Sequence, residues 1–363
     1  MSKKIYLLLA DGTVFEGKSF GAEGEALGEV VFTTGMVGYL ETLTDPGYYG
    51  QIIVQTFPLI GNYGVIPADL ESDFPGLRGY IVREWCEAPS NFRSEGDIDA
   101  YLKEKNVIGL YDIDTRALTR KLRSNGVMNG MITADLNDLD AKLEKIRGFA
   151  VEGGVKATSV SEAEKFTVEE PKYKIALWDL GSAYSVVKEL NARGCDVIKV
   201  PAASSAEEIC ALGADGVILG NGAGDPAENK EIIKEIAALA EKNIPMCGFG
   251  LGHQLMALAK GAETVKMKYG HRGGNQPVRD KKNGEIFITA QNHGYAVVSE
   301  SLPADAEVIF ENVNDGTCEG IAYRSFPGFS VQFHPDTAAG PNAPGFVYER
   351  FLKLIDTVKG GND

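Results

Sequence analysis

From residue 173 onward, short apolar runs alternate with helix-length amphipathic segments, and this alternation limits the fold more than any other feature of the chain. KIALWDL leads to SAYSVVKELNARG, CDVIKVP to SAEEICALG, DGVILG to AENKEIIKEIAALAEKN, and IPMCGF to a further helix-like segment. Strands separated by helices of this length indicate βαβ units with right-handed crossovers, and so a mainly parallel, helix-flanked sheet. Ligands collect at the carboxyl ends of the strands in such sheets. Three loops occupy those ends: Gly220 to Asp225, Phe249 to His253, and the turn at His334 after FSVQF.

The first half follows a different pattern. IYLLLA, Asp11-Gly12, TVFEGKSF and EVVFTTG are β-like runs with turn signals and predict hairpins. IDTRALTRKLR, residues 113–123, has apolar residues at helical spacing, with Asp114 or Thr115 placed to cap it. An α+β domain is therefore expected over 1–150. The segment 151–172, VEGGVKATSVSEAEKFTVEEPK, loses periodicity and reads as a connection, and the α/β domain fills 173–363. A length of 363 residues also suits two domains.

Composition excludes several classes of function. With 36 basic against 51 acidic residues the net charge is -15, which argues against a nucleic-acid or anionic-membrane surface. The apolar run in MSKKIYLLLADG is too short for a secretion signal or a membrane span, so a cytoplasmic protein is expected. Five scattered cysteines without CxxC spacing suggest neither a disulfide framework nor a zinc site. His253, His271 and His293 share no metal-ligand spacing either, and no metal is expected in this chain.

The three loops carry the chemistry. In Gly220-Asn-Gly-Ala-Gly-Asp-Pro226, Gly222 and Gly224 let backbone N–H groups approach a ligand, and a helix starting near Ala227 would favour an oxyanion or carboxylate there. The stretch MCGFGLGHQLMALA, residues 246–259, reads as a tight strand-to-helix elbow. Small residues at Gly248 and Gly252 frame an apex whose side chain would project over the sheet, and the next N–H would face an oxyanion. The apex is Gly250. A dinucleotide fingerprint would need a third glycine where His253 or Leu255 stands. In FSVQFHPD, His334 follows a strand, and Asp336 is placed to orient its ring.

GNGAGDP, GFGLGHQ, GHRGGNQPV, ITAQNHGYAV and VQFHPD together resemble the class I glutamine amidotransferase domain. Combined with GEVVFTTGMVGYLETLTDPGYYGQIIVQTFPLIGNYG and DIDTRALTRKLRSNGVMNGMI, the pattern resembles more narrowly the carbamoyl-phosphate synthetase small-subunit family. The resemblance implies glutamine hydrolysis through a cysteine thioester. Ammonia would pass to a large subunit, contacted mainly by the N-terminal half, that makes carbamoyl phosphate for arginine or pyrimidine synthesis. ATP and metal would bind only in that partner, and this chain would need no cofactor. By the same resemblance the nucleophile position falls on Gly250, the base on His334 and its carboxylate partner on Asp336. Oxyanion donors fall on Gly222 or Gly224 and Leu251, and glutamine contacts on Gly47, Gln254, Asn292, Gly294 and Tyr295.

The departures from the family are as informative as the matches. Glycine at 250 has no atom to attack an amide, and Cys247, inside an apolar run, is not at the apex. Gly47 replaces a serine, Ala223 a proline and Asp336 a glutamate, while Asp179-Leu-Gly-Ser-Ala-Tyr-Ser185 lacks the family's lysine and asparagine. One experimental replacement at the apex would leave those other positions alone; several together point to natural divergence. The expectation is a small subunit with silent glutaminase, or else a non-catalytic glutamine-binding or regulatory protein without a synthetase partner.

Overall fold

The computed structural model describes residues 3–73, 76–336 and 344–360. The chain divides into two compact units, Met1–Gly154 and Val155–Asp363.

Seven strands of the first unit close into a barrel: β1 (Lys4–Leu9), β2 (Val14–Gly21), β3 (Ala26–Thr33), β4 (Gln51–Gln55), β6 (Gly79–Ile81), β8 (Ile108–Tyr111) and β9 (Met128–Thr133). β5 (Leu59–Ile60) and β7 (Glu84–Trp85) form a separate parallel ribbon. The predicted first hairpin is present, with Leu7 opposite Phe15 and Asp11 Oδ1 accepting the Thr13 N–H across the turn. Closure of the barrel was not predicted. It depends on pairing between β1 and β9, which are more than a hundred residues apart. Leu7, Leu9, Val30, Ile52, Val54, Leu110 and Ile132 make a core with little or no exposure. α1 (Tyr39–Thr44) and α2 (Ile98–Glu104) pack in a second cluster with Val31, Ile53 and Tyr80, α4 (Leu139–Arg147) sets Ile146 against Leu8 and Met131, and α3 (Thr115–Asn125) adds Leu118 and Leu122 to the Leu7 core itself. Of the two cap candidates for α3, Asp114 is the one used, accepting the Ala117 N–H at 2.8 Å.

In the second unit a ten-stranded sheet runs β10-β12-β11-β13-β14-β19-β18-β17-β15-β16. Its strands are β10 (Glu164–Phe166), β11 (Tyr173–Leu180), β12 (Cys195–Val200), β13 (Gly216–Gly222), β14 (Met246–Phe249), β15 (Thr264–Asp280), β16 (Ile286–Val297), β17 (Ala306–Asn312), β18 (Cys318–Tyr323) and β19 (Gly328–Val331). The parallel part is β12-β11-β13-β14-β19, and β18, β17, β15 and β16 continue it antiparallel. The parallel strands read as unbroken apolar runs because α5 (Gly154–Thr158), α6 (Tyr184–Ala192), α7 (Ala206–Ala211), α8 (Lys230–Ala240), α9 (Leu251–Ala259) and α10 (Phe346–Gly360) bury both faces of the sheet. Trp178 lies within one of the two resulting cores and Phe351 within the other, both fully buried.

The segment read as a connection, 151–172, has structure of its own. α5 begins at Gly154, and β10 adds an antiparallel edge strand to β12. Three alternating residues, Glu164 to Phe166, gave too short a pattern to read as a strand.

Candidate functional site

The elbow is built by backbone crowding. β14 pairs in parallel with β13 on one side and β19 on the other, so α9 must leave the sheet at close range. A Cβ on Gly252 would fall 2.3 Å from the Leu219 carbonyl oxygen, and one on Gly248 2.7 Å from the Gly252 oxygen. Only glycine fits at either position, as the framing role requires. Between them Gly250 has φ 52° and ψ -110°, a conformation L residues adopt only under strain. Its N–H donates to the Val331 carbonyl at 3.0 Å, tying the apex to the strand that leads to His334.

The glycine loop meets the elbow through a residue that sequence reasoning passed over. Asn221, 6% exposed, accepts the Leu251 N–H on its Oδ1 at 3.1 Å. Gly222 ends β13 against Leu180, and a Cβ there would sit 2.3 Å from the Leu180 oxygen. Gly224, at φ 97°, has no atom within 4 Å of a built Cβ, and both candidate oxyanion glycines are half-buried. Ala223 is buried. The helix expected near Ala227 is only a three-residue 3-10 turn, Pro226–Glu228, with α8 starting at Lys230, so helix-dipole support for the loop is small.

Along one wall, Gln254 projects from α9 and donates from Nε2 to the Tyr295 carbonyl at 2.8 Å and to Gln332 Oε1 at 2.9 Å. Asn292 pairs in register with Arg272, whose Nη2 lies 3.1 Å from a Cβ built on Gly294. His334 is half-buried and bridges β16 through its N–H to the Ala290 oxygen at 2.9 Å. Hydrogen bonds and strand register therefore link Gly250, Leu251, Gln254, Tyr295 and His334. Asp336 accepts a hydrogen bond from the Ser185 hydroxyl on α6, at the position where the resemblance places asparagine. Gly47 belongs to the first unit, buried in the 3-10 turn Pro46–Tyr48, with its N–H held by Asp45 Oδ1 at 2.8 Å.

The other histidines are internal. His253 is fully buried against Ser330 Oγ at 2.8 Å, and burial lowers its pKa to about 3. His271, His293 and Glu319 bring ligand atoms within 4.8 Å of one another, which no spacing in the sequence announces. Each is already engaged by the protein. His271 Nε2 meets Asp315 at 2.8 Å, His293 bonds the Tyr295 carbonyl and Gln291 Oε1, and Glu319 accepts from Gln291 Nε2. Burial alone would lower the His271 pKa, but its bonds to Asp315 and Glu319 outweigh this and raise it to about 9. Cys247 is fully buried, and desolvation pushes its thiol well above the ordinary value, so it is an inert strand residue.

With this geometry established, the family relationships are clear. The class-I glutamine amidotransferase family model matches residues 176–354, and that of the carbamoyl-phosphate synthase small chain, CPSase domain, matches residues 7–132. Elbow, glycine loop and parallel sheet thus make the second unit a class I glutamine amidotransferase domain. A carbamoyl phosphate synthase small chain from Symbiobacterium thermophilum is 46% identical over 356 residues, covering 96% of this chain and 98% of the relative. Those of Clostridium perfringens and Bacillus cereus are also 46% identical, covering 96% and 98% of this chain and 99% and 97% of their own length. The chain belongs to the carbamoyl phosphate synthase small-chain family.

Proposed function

We propose that this chain acts as the small subunit of a carbamoyl phosphate synthase with its own glutaminase silent, leaving the assembly to use free ammonia while the chain serves as scaffold and regulator. The carrying observation is Gly250, which holds the backbone of a nucleophile elbow and offers no side-chain atom to attack an amide. In a hydrolase, removing the nucleophile costs about 10⁶ in turnover, the remainder coming from binding and the oxyanion hole. Cys247 does not substitute, being buried in β14 with a thiol that resists ionisation.

Glutamine remains a reasonable ligand. The Gln254–Tyr295 bond and the Asn292, Gly294 and His334 positions still shape a small-molecule site, and isothermal titration with glutamine measures whether binding has outlived chemistry. The large subunit is the expected partner and would hold ATP and metal. A glutamine-binding regulator without a synthetase is the competing reading, which copurification with an ATP-using large subunit would exclude. The decisive assay is ammonia release from glutamine by the purified protein with its large subunit. Background release is expected, and sustained turnover would refute the silent-subunit reading.

A further inference from the structure

Behind the pocket wall, three short contacts run in line through buried groups. His293 Nδ1 lies 2.8 Å from the Tyr295 carbonyl oxygen, His293 Nε2 lies 3.0 Å from one end of the Gln291 carboxamide, and the other end lies 2.9 Å from Glu319 Oε2. Each contact needs a proton between its two atoms. A neutral imidazole supplies one, and a carboxamide, which donates from its nitrogen end only, satisfies either its His293 side or its Glu319 side. The third proton must sit on His293 or Glu319, because lone pairs facing each other in a dry core are costly.

With the Gln291 nitrogen toward Glu319, the proton falls to His293; with the amide turned about, it falls to Glu319. On His293 it would make a buried cation beside Arg272 and His253, with the His271 ring 5.0 Å away. Burial, and after it His271, pushes the His293 pKa well below its ordinary value. On Glu319 the proton makes a neutral acid, the form a fully buried site favours. Desolvation raises the Glu319 pKa against the pull of His271 and Asn312, and Asp315 adds to the rise. In the turned arrangement the Thr289 hydroxyl, 3.1 Å from the amide, donates to its oxygen end instead of to the Gln276 carbonyl. Glu319 Oε1 still accepts from His271 and Asn312, each at 3.4 Å.

We infer that Glu319 is a neutral carboxylic acid that donates to Gln291 and so, through His293, positions the Tyr295 carbonyl against which Gln254 is held. Gln254 Nε2 donates to that carbonyl at 2.8 Å. The proton count rests on contact geometry; the consequence for a ligand rests on the glutamine-pocket reading of Gln254.

The test is infrared spectroscopy of the full-length protein at neutral pH, native against Glu319→Gln. The native spectrum should hold a protonated-carboxyl band that the variant lacks, and identical spectra in that region would overturn the inference. Because Glu319→Gln keeps a donor facing Gln291, its Tm should stay within about 3 °C of native; a larger loss, the mark of a broken ion pair with His271, would also overturn it. Glu319→Leu removes the donor, and isothermal titration should then show glutamine bound about tenfold more weakly. Unchanged affinity would overturn the positioning role. A native chain that binds no glutamine would refute the pocket reading, while the infrared comparison would still decide where the proton lies.

Discussion

At the scale of single residues, the elbow inverts an ordinary rule. Replacing glycine by alanine near the start of a helix usually helps, since glycine costs about 0.5–1 kcal/mol relative to alanine. At Gly252 the added methyl would press within 2.3 Å of the Leu219 carbonyl, on a strand that cannot retreat without breaking its pairing. Gly252→Ala is expected to destabilise the protein by about 1–3 kcal/mol, measured as a lower urea midpoint at unchanged slope. The glycine spacing that suggested an elbow was legible because crowding acts between near neighbours. The role of Asn221 was not legible, because its partner Leu251 lies 30 residues on and meets it only across the β13–β14 pairing.

At the scale of elements, the β15–β16 hairpin carries a titratable network. His271 has a folded pKa near 9 against an ordinary 6.5, so its contribution to stability is fully present below pH 6.5 and is lost as pH rises toward 9. Burial raises the Asp315 pKa, but bonds to His271 and Thr317 outweigh it and lower the value to about 2 from 3.8; its share is lost only as pH falls through that range. Glu319 is fully buried and pushed upward by desolvation, yet together with Asp315 it raises the His271 pKa. Melting curves should show the second unit losing about 1–3 kcal/mol between pH 6.5 and 9, and His271→Asn should flatten that dependence. An undiminished pH slope in the variant would place the titrating group elsewhere. Nothing in GHRGG or NDGTCEG signals this pairing, since the two segments meet only through the antiparallel extension of the sheet.

At the scale of the whole molecule, each unit has its own core: the barrel encloses one cluster, and the α/β sheet separates two others. A chain beginning at Val155 should therefore fold alone, with cooperative melting and the circular dichroism of a mixed α/β protein. Non-cooperative melting of that fragment would show that its cores are insufficient. Among the described residues no helix is long and apolar enough to cross a membrane.

The sequence by itself determined the βαβ alternation, the capped helix α3, the elbow with its empty apex, and the motifs that match the small-chain family. All of these are set within short windows, where periodicity, capping and steric crowding act between neighbours. Tertiary structure alone decided barrel closure, the antiparallel half of the large sheet, the Ser185–Asp336 contact, the His271 network and the Asn221–Leu251 bond. Each joins residues far apart in the chain, and such contacts follow from strand order and register, which no local pattern encodes.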